Sequence, residues 1–365
     1  MKLIVEPGDG LARIINGIQK AKKSVELLIF RFDLSEVERA LVEATERGVF
    51  VHALIAFTNR GGEEHLRKLE MRLLEHGMSV ARTAGDLIRY HGKMMLVDRK
   101  ELYLLSFNFT HLDVKHSRCF GLVTRNTSLL REGIKLFEAD TKRQPYTAGN
   151  SKFVVSPINA RNILGSFLKG AKKELLIYDP EISDPAMLRV LLAHKNLGID
   201  VRIIGKASQN QLDVRRLSGL RLHTRTIIRD RNQAFVGSQS LRKRELDSRR
   251  EIGIIFRNRT IISELIRVFE QDWKASLPEQ ETHAFPVHKA AKQMAKVISK
   301  NLPVTPLVRQ VVKAIEKKGD LEFRPQEIEE TVRSALREAV KDSVKDATKE
   351  VIKNVVNNSD GSEAD

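Results

Sequence analysis

HGKMMLVDRKELYLLSFNFT (residues 91–110) and LHTRTIIRDRNQAFVGSQS (residues 222–240) are two copies of one pattern. Each has a histidine (His91, His223), a basic residue two places on (Lys93, Arg225), an aspartate seven places on (Asp98, Asp230) and a serine fifteen places on (Ser106, Ser238). Asn108 and Ser240 follow two places beyond each serine. In extended chain, residues two apart share a face, so each histidine and its basic partner point into one pocket. One such triple arises readily by chance; two in register at equivalent points of a repeat do not.

The repeat extends outward from these stretches. Each half opens with a short strand ending in proline, an amphipathic helix and a buried strand: IVEP, LARIINGIQKAKK and SVELLIF, then VVSP, ARNILGSFLKGAKK and ELLIYD. A second helix (SEVERALVEATERG; DPAMLRVLLAHKNLG) and strand (VFVHALIAF; IDVRIIG) follow, where the apolar period switches from helical to extended. The first half alone carries a further helix-like segment, GGEEHLRKLEMRLLEHG. Such alternation predicts an α/β fold with one lobe over residues 1–146 and a second over 147–281. From residue 282 to 365 the pattern changes to helices without strands, a separate extension. Its last helix, over residues 326–357, lines Ile328, Val332, Leu336, Val340, Val344, Val351 and Val355 along one side among mixed charges. That pattern suits docking on the body or self-association better than a membrane surface.

The paired motifs resemble the HxKxxxxD signature of the phospholipase D superfamily, over about residues 1–281. The resemblance implies that two mixed sheets flanked by helices pack face to face, so that the histidines meet in one site. It further implies that one histidine attacks phosphorus, the other protonates the leaving oxygen, and neither metal nor cofactor is needed. Lys93, Ser106 and Asn108, with Arg225, Ser238 and Ser240, would hold the phosphate oxygens, and Asp98 and Asp230 would orient the site from its edge. Cations and neutral donors around a phosphodiester let a neutral imidazole approach and stabilise the transition state.

Three departures stand out: Arg225 in place of lysine, Ser240 in place of asparagine, and an unequal carboxylate. About 21 residues beyond each motif aspartate the second half has Glu251, whereas the first has Cys119. The expectation from sequence is that Glu251 contacts His223 and raises its pKa, making His223 the general acid and His91 the nucleophile. Cys119 reads as a small buried residue.

Composition bounds the partners. Lys and Arg number 63 against 47 Asp and Glu, a formal charge of +16. Residues 286–365 hold 15 basic and 13 acidic of these, leaving 48 and 34 in the two-lobed body. A basic body favours polyanionic partners, phospholipid headgroups or nucleic acid. Arg215, Arg216, Arg221, Arg229, Arg231, Arg242, Arg244, Arg249 and Arg250 read equally well as a polyanion-binding rim or a solvated surface. Aromatic content of 5% gives little for base stacking. One cysteine excludes an internal disulfide, and no apolar run is long enough for a signal peptide or membrane span, so a cytoplasmic protein with at most peripheral membrane contact is expected.

Overall fold

A computed structural model describes residues 1–57 and 63–278 of the chain. The helical extension expected from residue 282 lies outside the described residues. Lobe one runs β1 (Lys2–Glu6), α1 (Ala12–Lys20), β2 (Ser24–Ile29), α2 (Ser35–Glu46), β3 (Phe50–Ile55), α3 (Glu63–Glu75), β4 (Ser79–Arg82), β5 (Arg89–Tyr90), β6 (Met94–Val97), β7 (Glu101–Leu105), α4 (His111–His116), β8 (Ser117–Thr124) and α5 (Thr127–Lys142). Lobe two repeats the plan with β9 (Phe153–Val155), α6 (Ala160–Lys169), β10 (Glu174–Ile182), α7 (Pro185–Asn196), β11 (Asp200–Ala207), β12 (Asp213–Arg216), β13 (Arg221–Leu222), β14 (Arg225–Arg229), β15 (Gln233–Gly237), α8 (Lys243–Asp247), β16 (Arg249–Arg250), β17 (Ile252–Phe256) and α9 (Arg259–Ala275), closing on β18 (Leu277–Pro278). The extra segment of the first half is α3; in lobe two β11 passes to β12 without a helix.

Local chemistry sets the element ends. Asp184 caps α7 through the N–H groups of Ala186 and Met187, with Pro185 at the first helical position. Asn126 and Asn258 do the same for α5 and α9, the matching helices of the two lobes. The sheets run β1-β8-β7-β6-β2-β3-β4 and β18-β12-β11-β10-β14-β15-β17-β9, mixed in direction and equivalent in order. One face of each sheet is covered by its own helices: Ile14, Ile18, Val37 and Leu41 in lobe one, Leu164, Leu168, Met187 and Leu191 in lobe two. The opposite faces share one core, in which Leu28, Met94, Leu104 and Phe120 meet Leu176, Tyr178, Ile228 and Ile254 together with side chains of α5 and α9. The lobes therefore pack face to face, as expected.

Backbone also crosses between the lobes, twice and symmetrically. β13 of lobe two pairs with the start of β8, Arg221 opposite Ser117, and β16 of lobe two pairs with β5, Arg249 opposite Arg89. An arginine, partly buried in one case and buried in the other, locks each crossing. Arg118 donates to the Glu6 carbonyl (3.0 Å) and ion-pairs with Asp272 of α9 (2.7 Å), which also accepts the Tyr178 hydroxyl (2.6 Å). Arg250 donates to the Ser156 carbonyl (3.2 Å) and pairs with Asp140 of α5 (3.0 Å). Removing one partner strands the other charge in the interface, so Asp272→Ala is expected to destabilise the protein by about 3 kcal/mol. Urea unfolding monitored by Trp273 fluorescence measures this; a loss below ~1 kcal/mol would mean the pair does not hold the lobes together.

Candidate active site

The crossings bring the histidines together. His91 and His223 each lie between a crossing strand and a motif strand, and each backbone N–H donates to the arginine carbonyl of the opposite lobe: His91 to Arg250 (2.8 Å), His223 to Arg118 (3.2 Å). Both rings are nearly buried, 6.5 Å apart between centroids and close to perpendicular. The residue after each arginine then faces the ring of the other lobe's histidine. After Arg250 comes Glu251, whose Oε2 accepts from His91 Nδ1 at 2.9 Å. After Arg118 comes Cys119, whose Sγ is 3.7 Å from His223 Nδ1.

This corrects the expected pairing of Glu251 with His223. The carboxylate and histidine of one lobe are close in sequence, but the strand carrying Glu251 crosses the interface before reaching a ring. The argument that gave His223 a raised pKa fails with it. Burial, then the neighbouring Arg225 and Lys93, push His223 well below the ordinary histidine value. Burial followed by Lys93 and Arg225 does the same to His91. In both, burial and the neighbouring cations favour the neutral imidazole.

Lys93 bridges ring and backbone, its Nζ 2.9 Å from His91 Nε2 and 2.8 Å from the His91 carbonyl. With Nδ1–H given to Glu251, Nε2 keeps its lone pair directed at the lysine. Burial lowers the Lys93 pKa to about 7, so its charge is poised in the neutral range. Arg225 is the counterpart: its guanidinium donates to the His223 carbonyl (2.6 Å) and to Ser240 Oγ (3.1 Å).

The remaining motif residues divide differently from expectation. Ser106 and Ser238 are fully buried and serve the neighbouring strand: Ser106 Oγ accepts from Phe120 N–H (2.9 Å), and Ser238 Oγ accepts from Ile252 N–H (3.1 Å) and bonds the Ile252 carbonyl (3.4 Å). Asn108 donates both its backbone and side-chain N–H to Asp113 Oδ2 (2.7 Å each), and Ser240 N–H donates to Glu245 Oε2 (2.8 Å). Asp113 and Glu245 each stand five residues past their motif partner, an internal regularity that the sequence reading missed. Asp98 and Asp230 do not belong with the catalytic groups. Five residues of extended chain set each roughly 16 Å from its basic partner. There, Asp98 accepts from the N–H groups of Lys22, Lys23 and Ser24, and Asp230 from those of Lys172, Lys173 and Glu174. Burial opposes these bonds, but the bonds win and hold both carboxyls below their ordinary value.

The arginines of lobe two are largely committed within the protein. Arg221 pairs with Asp113, Arg231 with Glu174, Arg242 with Glu181, Arg249 with Glu245 and Arg250 with Asp140, while Arg215 stacks on Trp273. A free polyanion-binding rim built from the whole set is not what they form. His194 Nε2–H donates to the Leu168 carbonyl (2.8 Å), a packing role. Among the described residues no cluster of His, Cys, Asp and Glu has metal-ligand geometry, and no helix is long and apolar enough to cross a membrane.

Comparison with known proteins places this geometry. The family model described as cardiolipin synthase, PLD-like domain, matches residues 14–141 and 164–273, one match per lobe. Mitochondrial cardiolipin hydrolase of Danio rerio is 29% identical over 132 residues, 35% of this chain and 57% of that protein. The Mus musculus protein of the same name is 27% identical over 128 residues, 35% of this chain and 56% of its own length. The match thus spans little more than half of these relatives. Phosphatidylserine synthase of Haemophilus influenzae shares the fold at a TM-score of 0.61 and 12% identity, over 82% of this chain and 94% of that one. Polyphosphate kinase of Porphyromonas gingivalis shares it at 0.62 and 19%, over 74% of this chain and 49% of that one.

Proposed function

The chain belongs to the phospholipase D superfamily, with two PLD-like domains of the cardiolipin synthase type, and on that footing we propose that it is a metal-independent phosphodiesterase or phosphatidyltransferase acting on phospholipids through a phosphohistidine. The observation that carries this reading is the exchanged pinning of the histidines. Each histidine is held by contacts from the opposite lobe, so the two rings meet only when the lobes are closed on each other.

His91 is the nucleophile in this account, for a reason other than the one read from sequence. Glu251 holds Nδ1–H and fixes the tautomer with Nε2 free to attack. When the N–P bond forms, the ring becomes cationic and the buried carboxylate stabilises it. Lys93 leaves Nε2 for a phosphate oxygen, and Arg225 takes a second. Charge on the bound phosphodiester offsets the depression of the His223 pKa, so that His223 protonates the departing alkoxide. In the second step His223 takes a proton from water or an alcohol, which attacks phosphorus and frees His91. Water gives hydrolysis and an alcohol gives transfer.

The charge of the body supports nucleic-acid phosphodiesters as the second reading. Side-by-side turnover of phosphatidylglycerol vesicles and a plasmid in EDTA, by wild type, His91→Ala and His223→Ala, separates the two. Vesicle turnover that survives chelation and disappears in both variants is the expected result. Plasmid cleavage alone would move the assignment to a nuclease, and no turnover of either would favour a noncatalytic anion-binding protein.

A further inference from the structure

The two lobes distribute one carboxylate differently. In lobe two Glu251 touches His91, and beside it on the next chain segment stands Ser156, whose N–H donates to the Glu251 carbonyl (3.0 Å). In lobe one Cys119 touches His223, and directly opposite it in the antiparallel β1–β8 pair stands Glu6. Residues directly opposite in such a pair share a face, with Cβ atoms about 5 Å apart. The carboxylate missing from the contact position is therefore present one strand behind it.

Glu6 is fully buried, and the donors that act on its carboxylate are the backbone N–H groups of Gly10 and, more weakly, Gly8. Oε2 accepts from Gly10 N–H (3.1 Å), while Oε1 has no hydrogen-bond partner. A buried carboxylate oxygen without a donor is costly to keep and points to a role beyond packing. The other carboxylate near His223 is already committed. Asp113, 3.6 Å from Nδ1, has Oδ2 taken by both N–H groups of Asn108 and Oδ1 by Arg221.

We propose that Glu6 is a positioning residue for His223, supplying from the strand behind Cys119, whose thiol donates to the Asp113 carbonyl, the counter-charge to its imidazolium that Glu251 supplies to His91 by direct contact. This rests on the reading of His223 as the proton-carrying histidine. Burial, partly opposed by the Gly10 N–H, pushes the Glu6 pKa up to about 7, and burial keeps the Cys119 thiol protonated. Glu6 and His223 thus hold one proton between them: it rests on the carboxyl in the empty site and on the imidazole once an anion is bound. The charged groups facing the Glu6 carboxylate are Asp9 on its own loop and Lys115 on α4, while Arg118 donates to the Glu6 backbone carbonyl and is neutralised by Asp272; Asp113 and Arg221 face Cys119 and pair with each other.

The test is an NMR titration of the full chain saturated with sulfate, whose charge is constant over the range scanned. In Glu6→Gln the His223 ring is expected to titrate about one unit lower than in wild type. Adding Cys119→Glu to that variant, which copies the Glu251 contact, restores or exceeds the wild-type value. Because coupling is reciprocal, the Glu6 carboxyl in His223→Gln shifts upward by a similar amount, a readout that does not require Glu6→Gln to fold. Unchanged titration of His223 in Glu6→Gln, or of Glu6 in His223→Gln, would overturn the proposal. Absence of turnover in wild type bears only on the phosphodiesterase reading and leaves the paired titrations in sulfate to decide the role of Glu6; a His223 signal blind to sulfate would also overturn the proposal, because the shared proton then never reaches the imidazole.

Discussion

His223→Ala is expected to lose on the order of 10⁴ in the first-turnover cleavage of a phosphodiester with an alkoxide leaving group, and to recover most of that loss in the first-turnover release of p-nitrophenolate from an activated phosphodiester. The leaving phenolate needs no proton, so removing the general acid costs little with that substrate. His91→Ala loses at least as much with both substrates, because no other group forms the N–P bond. Single-turnover release rates of the two variants on the two substrates give the answer directly, because they leave out the second step, in which His223 acts as base. Equal losses by His223→Ala on both substrates would remove it from the acid role, and recovery of His91→Ala on the activated one would exchange the roles.

Glu251→Gln carries the second large effect, roughly 10²-fold in turnover. Glutamine keeps an oxygen for His91 Nδ1–H at a contact now 2.9 Å long, but it cannot balance the charge that appears on the ring as the phosphohistidine forms. The loss falls on N–P bond formation and is therefore the same for alkoxide and p-nitrophenyl substrates. Had Glu251 served His223, the loss would shrink with the activated leaving group. The leaving-group dependence of this one variant separates the observed geometry from the pairing that sequence alone suggests.

Much of the architecture is legible in the sequence because it is periodic. Strand, helix and strand alternate with the same proline-ended opening in each half, and the register from His91 to Ser106 recurs from His223 to Ser238. The site's ownership is not legible, because it depends on which lobe a chain segment touches after it leaves its own sheet. β16 and the start of β8 cross to the partner lobe, so Glu251 and Cys119 reach the distant histidine rather than the near one. A signal was present: an arginine, Arg118 or Arg250, precedes each of them at equivalent positions, and acids stand five places after Asn108 and Ser240. Asp98 and Asp230 show the converse. Their fixed spacing puts them at the edge of the site but does not say what they do there: each closes a tight hairpin with left-handed backbone at Asp98–Arg99 and Asp230–Arg231, and ties it to the start of β2 or β10.

The most direct test of the account is to quench turnover of a radiolabelled phospholipid in alkali, where phosphoramidates survive, and to map the label by mass spectrometry in wild type and in His223→Ala with the activated substrate. The account predicts a covalent adduct on His91, accumulating in His223→Ala and absent from His91→Ala. An adduct on His223, or turnover of the activated substrate by His91→Ala, would contradict it.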